Sequence, residues 1–326
     1  MSSYYYGNPD KSNSWECAAS IFAAHESVNS EKTSSLPLVQ FWKPDVRVCA
    51  PGNGDRCADS FFRACEIGDL AVDLAKAEFS FEYPVPAQGG RGKASMTDLM
   101  ITTDKFAMAI EAKWTECREK YKPTIEKWLE EGKNSGNREL VLSGWIACIN
   151  KFLPSGKHLD VGRVRCAQIP YQFLHRVASA CYVATNKNVM PIVVYQLFYD
   201  DGNNGTENEM KKFAADLEKA YKVLFPDGAH VWFNIIRVKT DMENGIIDTI
   251  KGALPERADA FNDIFLIMQE KEVYKFLSIE SVFSAGDNNS GPPIQILTTS
   301  GPGTVWFRGL WFAGMGIAYG LAYEKQ

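Results

Sequence analysis

The chain has 326 residues, a formal net charge of -5 and a pI of about 5.6. With 45% hydrophobic and 23% charged residues it has the composition of a globular protein, which excludes a fibrous or wholly disordered chain. The acidic balance argues against a protein whose whole surface binds nucleic acid, but it allows a local basic cleft. At this length we expect one large α/β domain, or a domain of about 200 residues with a smaller one.

The cysteines and histidines argue against a zinc site or a disulfide framework. Eight cysteines are scattered without a C-x-x-C pair, and the chain has four histidines. Most cysteines stand in apolar contexts, which suits buried side chains in a reducing cytoplasm. The N-terminal residues lack a basic region followed by an apolar run, and no apolar stretch reaches the ~18 residues of a membrane span. We therefore expect a cytoplasmic protein without a secretory signal or a membrane partner.

Helical periodicity dominates the first part of the chain, after a first dozen residues that we expect to be flexible. The apolar spacing of residues 15–28 predicts an amphipathic helix, and a linker follows at 29–37. Residues 57–79 are again helical, and we expect Gly68 to divide them. The alternation of 78–85 then predicts a strand that leads, through a glycine-rich loop, into a hairpin.

Helices and strands alternate in the middle of the chain, and this order predicts an α/β fold. Amphipathic spacing marks the helices, and β-branched and aromatic runs mark the strands. The predicted helices are 122–132, 138–153, 169–186 and 206–225, and the predicted strands are 189–201 and 229–241.

Three segments are expected along the chain. An N-terminal extension at 1–50 precedes a core at 51–240, and a C-terminal α+β extension at 241–326 packs on that core. In the last segment we expect an aromatic hairpin around Gly301. Its rings could stack on bases or contact a second subunit, although core packing is the preferred interpretation.

The predicted hairpin after the glycine-rich loop carries Asp98, Glu111 and Lys113. Strand alternation places Glu111 and Lys113 on one face, and the turn brings Asp98 back to the same end. Two carboxylates this close repel unless a cation lies between them. A Mg²⁺ ion, for which Mn²⁺ can substitute, would supply that charge, with the Ala112 carbonyl as a further ligand. Alternatively, these are ordinary charges on a solvated strand face.

The same residues resemble the D…(D/E)-x-K signature of the PD-(D/E)XK nuclease superfamily, the restriction-endonuclease-like proteins. Asp98 is followed after 12 residues by Glu111, Ala112 and Lys113. The blocks "GGRGKASMTDLM", "IEAKWTE", "PTIEKWLEE" and "YQFLHRVASA" resemble a little-characterised bacterial branch of the superfamily. The resemblance covers roughly residues 40 to 235, with Thr97 where many members have proline.

The resemblance implies a restriction-endonuclease-like core, in which helices flank a mixed central sheet, and the hydrolysis of DNA phosphodiester bonds. Asp98, Glu111 and Ala112 would bind Mg²⁺, and Lys113 would be the catalytic lysine. The expected function is an endonuclease in restriction or phage defence. Its substrate would be double-stranded DNA, which a homodimer could cut on both strands. The alternative is an inactive nuclease-fold protein that binds nucleic acid or serves as a structural module.

Additional carboxylates and cations are candidates for the same site. Superfamily members often add a carboxylate from the helix before the hairpin, and Glu66 is the first candidate, with Glu82 second. Glu66 is otherwise a surface residue. Arg91 and Lys93 in the glycine-rich loop are expected to bind substrate phosphate, because glycines let backbone amides approach it. An ordinary mobile loop is the alternative.

The helix predicted at 169–186 carries Gln172, His175, Arg176 and Ser179 on one face. Gln172 is a candidate catalytic residue, since some superfamily members carry a comparable glutamine. His175 and Arg176 are candidates to bind substrate phosphate. The polar stripe could instead be a solvated face, with His175 a structural histidine.

Overall fold

Seven strands form one mixed β-sheet in a computed structural model of the protein. The chain divides into two units, Met1–Asp287 and Asn288–Gln326, and the fold below is that of the first. The structure describes residues 2–7, 14–19, 33–49, 54–67, 74–114, 117, 123–131, 135–200, 204–242 and 272–286.

The strands follow one another across the sheet in chain order. They are β1 (Ser3–Tyr6), β2 (Glu78–Val85), β3 (Ser95–Thr102), β4 (Phe106–Lys113), β5 (Met190–Tyr199), β6 (Trp232–Met242) and β7 (Tyr274–Ala285). An antiparallel meander of β2, β3 and β4 is continued by β5 and β6, both parallel to β4. At the edges, β1 runs parallel to β2 and β7 antiparallel to β6.

Helices cover both faces of the sheet, which confirms the expected mixed α/β architecture. They are α1 (Ser35–Phe41), α2 (Cys57–Ala64), α3 (Ile125–Glu130), α4 (Ser135–Asn150), α5 (Val161–Cys166), α6 (Tyr171–Lys187) and α7 (Asn204–Leu224). Residues 15–19 are also helical, and Leu74–Lys76 form a 3-10 turn.

Each face of the sheet has its own apolar core. Helices α3 to α7 pack on one face, which we call the α6 face. Helices α1 and α2 pack on the other, which we call the α1 face, where Trp42 and Phe61 meet edge to face with ring centroids 5.0 Å apart. Alternation along each central strand therefore directs successive side chains toward the two faces in turn.

The N-terminal segment corrects two expectations. Residues 3–6 are a strand rather than flexible, because Tyr4 is buried and stacks on Phe79 with ring centroids 4.8 Å apart. Helix α1 begins inside the linker predicted at 29–37, because Leu36 and Leu38 pack in the core of the α1 face. In each case burial against distant strands outweighs a weak local pattern.

The sheet extends beyond both boundaries expected for the core. Strand β1 precedes residue 51 and β7 follows residue 240, yet both pair with strands of the same sheet. The hairpin expected around Gly301 and the division at Gly68 lie outside the described residues, as does most of the helix predicted at 15–28.

Two further features of the structure concern the cysteine side chains and the apolar character of the described helices. All eight cysteines lie in the described part of the chain and carry free thiols. Among the described helices, none combines the length and the apolar character needed to cross a membrane.

Candidate functional site

The backbone pairing between β3 and β4 ends just before the charged residues of the hairpin. Its last pair joins Leu99 and Ile110. Beyond this pair, a side chain takes over the contact between the two strands. The Asp98 Oδ2 atom of β3 accepts a hydrogen bond from the Ala112 backbone amide of β4 at 2.8 Å. The N–H and C=O of a strand residue point to the same side, so the Ala112 carbonyl also faces β3.

Asp98, Glu111 and Lys113 share the α6 face, as alternation predicts. Met100 and Ala109, two residues away along β3 and β4, belong to the core on this side. Lys113 Nζ donates to Glu111 Oε1 at 2.5 Å. The hairpin therefore brings its three charged side chains to one end of one face.

Glu111 is held by donors from two elements. Its Oε1 accepts from Lys113 of its own strand and from Gln172 Nε2 of α6, each at 2.5 Å. Its Oε2 accepts from the Arg176 guanidinium, one helical turn after Gln172. The carboxylate is only 1% exposed, and burying it would be costly without these three donors.

Arg176 also reaches the second carboxylate. Its Nη2 lies 3.6 Å from Asp98 Oδ1 and donates to the Met96 carbonyl at 3.2 Å. The Arg176 side chain is 2% exposed, whereas that of Asp98 is 25% exposed. The buried guanidinium of Arg176 therefore lies where the two carboxylates converge. This position is accessible to solvent on the Asp98 side.

The two carboxyl groups have pKa values shifted in opposite directions. Burial acts to raise the pKa of Glu111, but the charges of Arg176 and Lys113 outweigh it and hold that pKa well below its ordinary range. Burial and the charge of Glu111 raise the pKa of Asp98 to about 6, against the opposing charges of Lys113 and Arg176. The second of two coupled carboxyls ionises in the field of the first. Asp98 is therefore the group that exchanges a proton near pH 6.

His175 is buried between two serines, rather than open to a substrate phosphate as expected. Its Nδ1 lies 3.2 Å from Ser95 Oγ and its Nε2 lies 3.4 Å from Ser179 Oγ. The Ser179 hydroxyl donates to the His175 carbonyl at 2.9 Å, so its oxygen accepts from Nε2–H, and Nδ1 accepts from Ser95. Burial and the Arg176 charge lower the pKa of His175 to about 3. The geometry favours the structural histidine, a neutral ring that ties β3 to α6.

The glycine-rich loop before β3 is fastened to α4. Gly89 has a φ of 74°, and a Cβ there would lie 2.8 Å from the Leu140 carbonyl oxygen, so the close approach requires glycine. The Asn137 side chain bonds the Arg91 backbone twice, at 2.8 Å and 2.7 Å. The Arg91 and Lys93 side chains are exposed. The loop thus presents two cations to solvent from an anchored backbone.

Glu66 is not brought to this cluster, which corrects the expectation that it completes the site. It follows α2, which packs on the α1 face, and it is exposed with a φ of 56°. Within the described residues, no hydrogen bond or ion pair joins it to Asp98 or Glu111. The helix before the hairpin covers the wrong face of the sheet for this role.

Glu82 stands closer to the carboxylate pair. Phe81 and Tyr83 pair with the two neighbours of Asp98 in β3, so the register places Glu82 opposite Asp98. Phe81 packs on the α1 face and Tyr83 on the α6 face, so the side chains of β2 change face at Glu82, whose φ is 47°. This break in alternation lies beside the open end of the hairpin.

The oxygen atoms of the cluster are of the kind that a hard divalent cation binds. Asp98 Oδ1 and Glu111 Oε2 converge on one positive charge, that of Arg176, and the Ala112 carbonyl faces the same strand end. In the described part of the chain, no group of three or more His, Cys, Asp or Glu side chains is arranged to hold a metal. Two carboxylates with backbone and water oxygens are a donor set that suits Mg²⁺.

Sequence reasoning missed Tyr195. It lies opposite Glu111 in the register of β4 and β5, and it is 2% exposed. Burial and the charge of Glu111 raise the pKa of the Tyr195 hydroxyl well above its ordinary value. Nothing in the apolar run of β5 distinguishes this tyrosine from its neighbours, and only the strand pairing reveals its position.

Comparison with known proteins gives a family and no function. The family described as Domain of unknown function (DUF6946) matches residues 11–231, more than half of the chain. The match contains both the hairpin and α6, and therefore the whole charged cluster. No curated protein and no solved structure matches the chain.

Proposed function

The chain belongs to the DUF6946 family, and we propose that it is a Mg²⁺-dependent endonuclease with a restriction-endonuclease-like core that hydrolyses DNA phosphodiester bonds. The observation that carries the proposal is the convergence of Asp98 and Glu111 on one buried positive charge, with Lys113 bonded to Glu111 at 2.5 Å. Buried charges in a central hairpin are costly. A site for charged chemistry explains their presence.

Five residues of the cluster have a role in this reaction. Asp98, Glu111 and the Ala112 carbonyl would hold Mg²⁺, which supplies Lewis acidity to the phosphate and lowers the pKa of a water molecule. The Lys113 ammonium would hold the attacking water and neutralise charge that develops on the phosphate. Gln172 fixes Glu111 through its bond to Oε1.

The substrate would approach from the side of the glycine-rich loop. Arg91 and Lys93 are exposed just before β3, and the Arg91 backbone is held by two hydrogen bonds to the Asn137 side chain. Cations on a fixed loop neutralise backbone phosphates without reading the base sequence. We propose that they bind double-stranded DNA beside Asp98. A cytoplasmic homodimer in restriction or phage defence is part of the same proposal.

Cleavage assays test the proposal directly. With Mg²⁺, we expect the wild type to cut double-stranded DNA and expect Asp98→Ala and Lys113→Ala to lose roughly 100-fold or more in rate. Lys187→Ala is the matched control, because Lys187 makes a surface ion pair with Glu78 at 2.9 Å, away from the cluster. The nuclease proposal fails if the wild type and both site variants behave alike on DNA and RNA substrates.

One observation favours a second candidate function, an inactive nuclease-fold protein that binds nucleic acid. Arg176 already satisfies the carboxylate pair with a positive charge, so the cluster can be stable without a metal. Such a protein would retard DNA in a gel equally with Mg²⁺ and with a chelator. Retardation combined with absence of cleavage would favour this second candidate over the enzyme.

A further inference from the structure

Arg176 occupies the place where the carboxylates of the hairpin meet. Its Nη2 lies 3.6 Å from Asp98 Oδ1 and is bonded to Glu111 Oε2. The other two carboxylate oxygens are engaged elsewhere, since Asp98 Oδ2 accepts from the Ala112 amide and Glu111 Oε1 accepts from Lys113. A divalent cation held by both carboxylates would need the oxygens that Arg176 contacts.

The guanidinium is incompletely satisfied in this position. Nη2 makes the bonds to Glu111 and to the Met96 carbonyl. In the part of the chain that the structure describes, Nε and Nη1 have no hydrogen-bond partner, although the side chain is only 2% exposed. A guanidinium has five N–H donors, and those left unpaired in a buried place forgo the bonds that water would supply. This deficit lowers the cost of moving Arg176 away.

We propose that Arg176 and the divalent cation compete for the same two carboxylate oxygens, so that metal binding releases the guanidinium from Glu111. The inference rests on the proposed metal site, and it adds the residue that sets the metal affinity of that site. Two cations cannot share these oxygens at close range, because their repulsion is strong where water is excluded. Without either cation, Asp98 and Glu111 would face each other across the open end of the hairpin.

The remaining contacts of Glu111 allow this exchange. Gln172 Nε2 and Lys113 Nζ both bind Oε1, and neither depends on the oxygen that faces Arg176. Glu111 therefore keeps two of its donors when the guanidinium leaves. Asp98 is more exposed than Glu111, so a cation from solvent would reach the Asp98 carboxylate first.

Mn²⁺ binding to the full chain, measured by calorimetry and by electron paramagnetic resonance of the free ion, tests this competition without a substrate. Arg176→Met removes the competing charge, and we expect it to bind Mn²⁺ roughly tenfold or more tightly than the wild type. Arg237→Met is the matched control, because Arg237 pairs with Glu280 at 2.7 Å on β6, two strands from β4. We expect its Kd to equal that of the wild type.

The outcomes distinguish the competition by Arg176 from the metal site on which it rests. Equal Mn²⁺ affinity in the wild type and Arg176→Met overturns the competition and leaves the metal site standing. Absence of Mn²⁺ binding from both proteins overturns the metal site, and the competition with it. If Arg176→Met does not fold, Arg176→Gln decides by the same criterion, since it removes the charge but keeps a donor for Glu111.

Discussion

The two faces of β4 are built in opposite ways from one strand. On the α1 face, Ile110 and Ala112 join an aromatic core that includes Trp42 and Phe61. On the α6 face, the same strand presents Glu111, whose buried carboxylate is held by donors from its own strand and from α6. The first face stabilises the fold by removing apolar area from water, whereas at its Glu111 end the second face also carries desolvated charges, whose burial costs free energy.

The difference between the two faces of β4 indicates that the candidate functional site lies on the α6 face. An apolar core is explained completely by packing, whereas a buried carboxylate pair needs a further reason to exist. Three substitutions compare the two faces, from the largest expected effect on stability at neutral pH to the smallest.

Trp42→Ala on the α1 face should lower the free energy of unfolding by about 3–5 kcal/mol, because it leaves a large cavity in the aromatic core. It also removes the indole that donates to Gln196 Oε1 at 3.1 Å. Urea denaturation measures the loss, and Mn²⁺ affinity should not change. A loss below about 1 kcal/mol would show that this core is loosely packed and would weaken the contrast between the faces.

Asp98→Asn on the α6 face should act in the opposite direction at alkaline pH. The pKa of Asp98 is raised to about 6, above its value in an unfolded chain, so the stability it contributes in acid is lost as pH rises through 6. The amide variant avoids this loss and should be more stable than the wild type at pH 8 by roughly 1–3 kcal/mol. Denaturation at pH 5 and pH 8 measures the difference, and a less stable variant at pH 8 would contradict it.

His175→Gln should flatten the acid side of the stability profile. The pKa of His175 is lowered to about 3, below the ~6.5 of an unfolded chain, so stability is fully present above pH 6.5 and falls as the pH drops toward 3. One proton of difference gives a slope of roughly 1.4 kcal/mol per pH unit, which the variant should lack. Unfolding between pH 4 and pH 7 measures both slopes, and equal slopes would rule out His175 as their source.

Local pattern was sufficient to predict the hairpin. The alternation of the hairpin strands is carried by neighbouring residues, and it places Glu111 and Lys113 on one face without any tertiary information. The prediction of β2 at 78–85 is confirmed residue for residue. The same regularity brings Asp98 to the correct end of the hairpin.

Long-range pairing explains what the sequence did not show. The stripe of Gln172 and Arg176 is equally compatible with a solvated face, and only the packing of α6 on β4 reveals that it binds Glu111. Strand β1 depends on β2, a partner more than 70 residues away. The resemblance implies a place for Glu66 at the site, but α2 lies on the other face of the sheet. No local signal in the sequence specifies which face a helix covers.

The chain-order arrangement of the strands has a consequence for synthesis on the ribosome. Each new strand from β2 to β7 adds beside the one made before it, so the sheet can grow in the direction of translation. Asp98, Glu111, Lys113, Gln172 and Arg176 all precede β5. Every group of the charged cluster is therefore synthesised before the last three strands, so the nascent chain already contains its own counter-ion for the acidic pair at that stage.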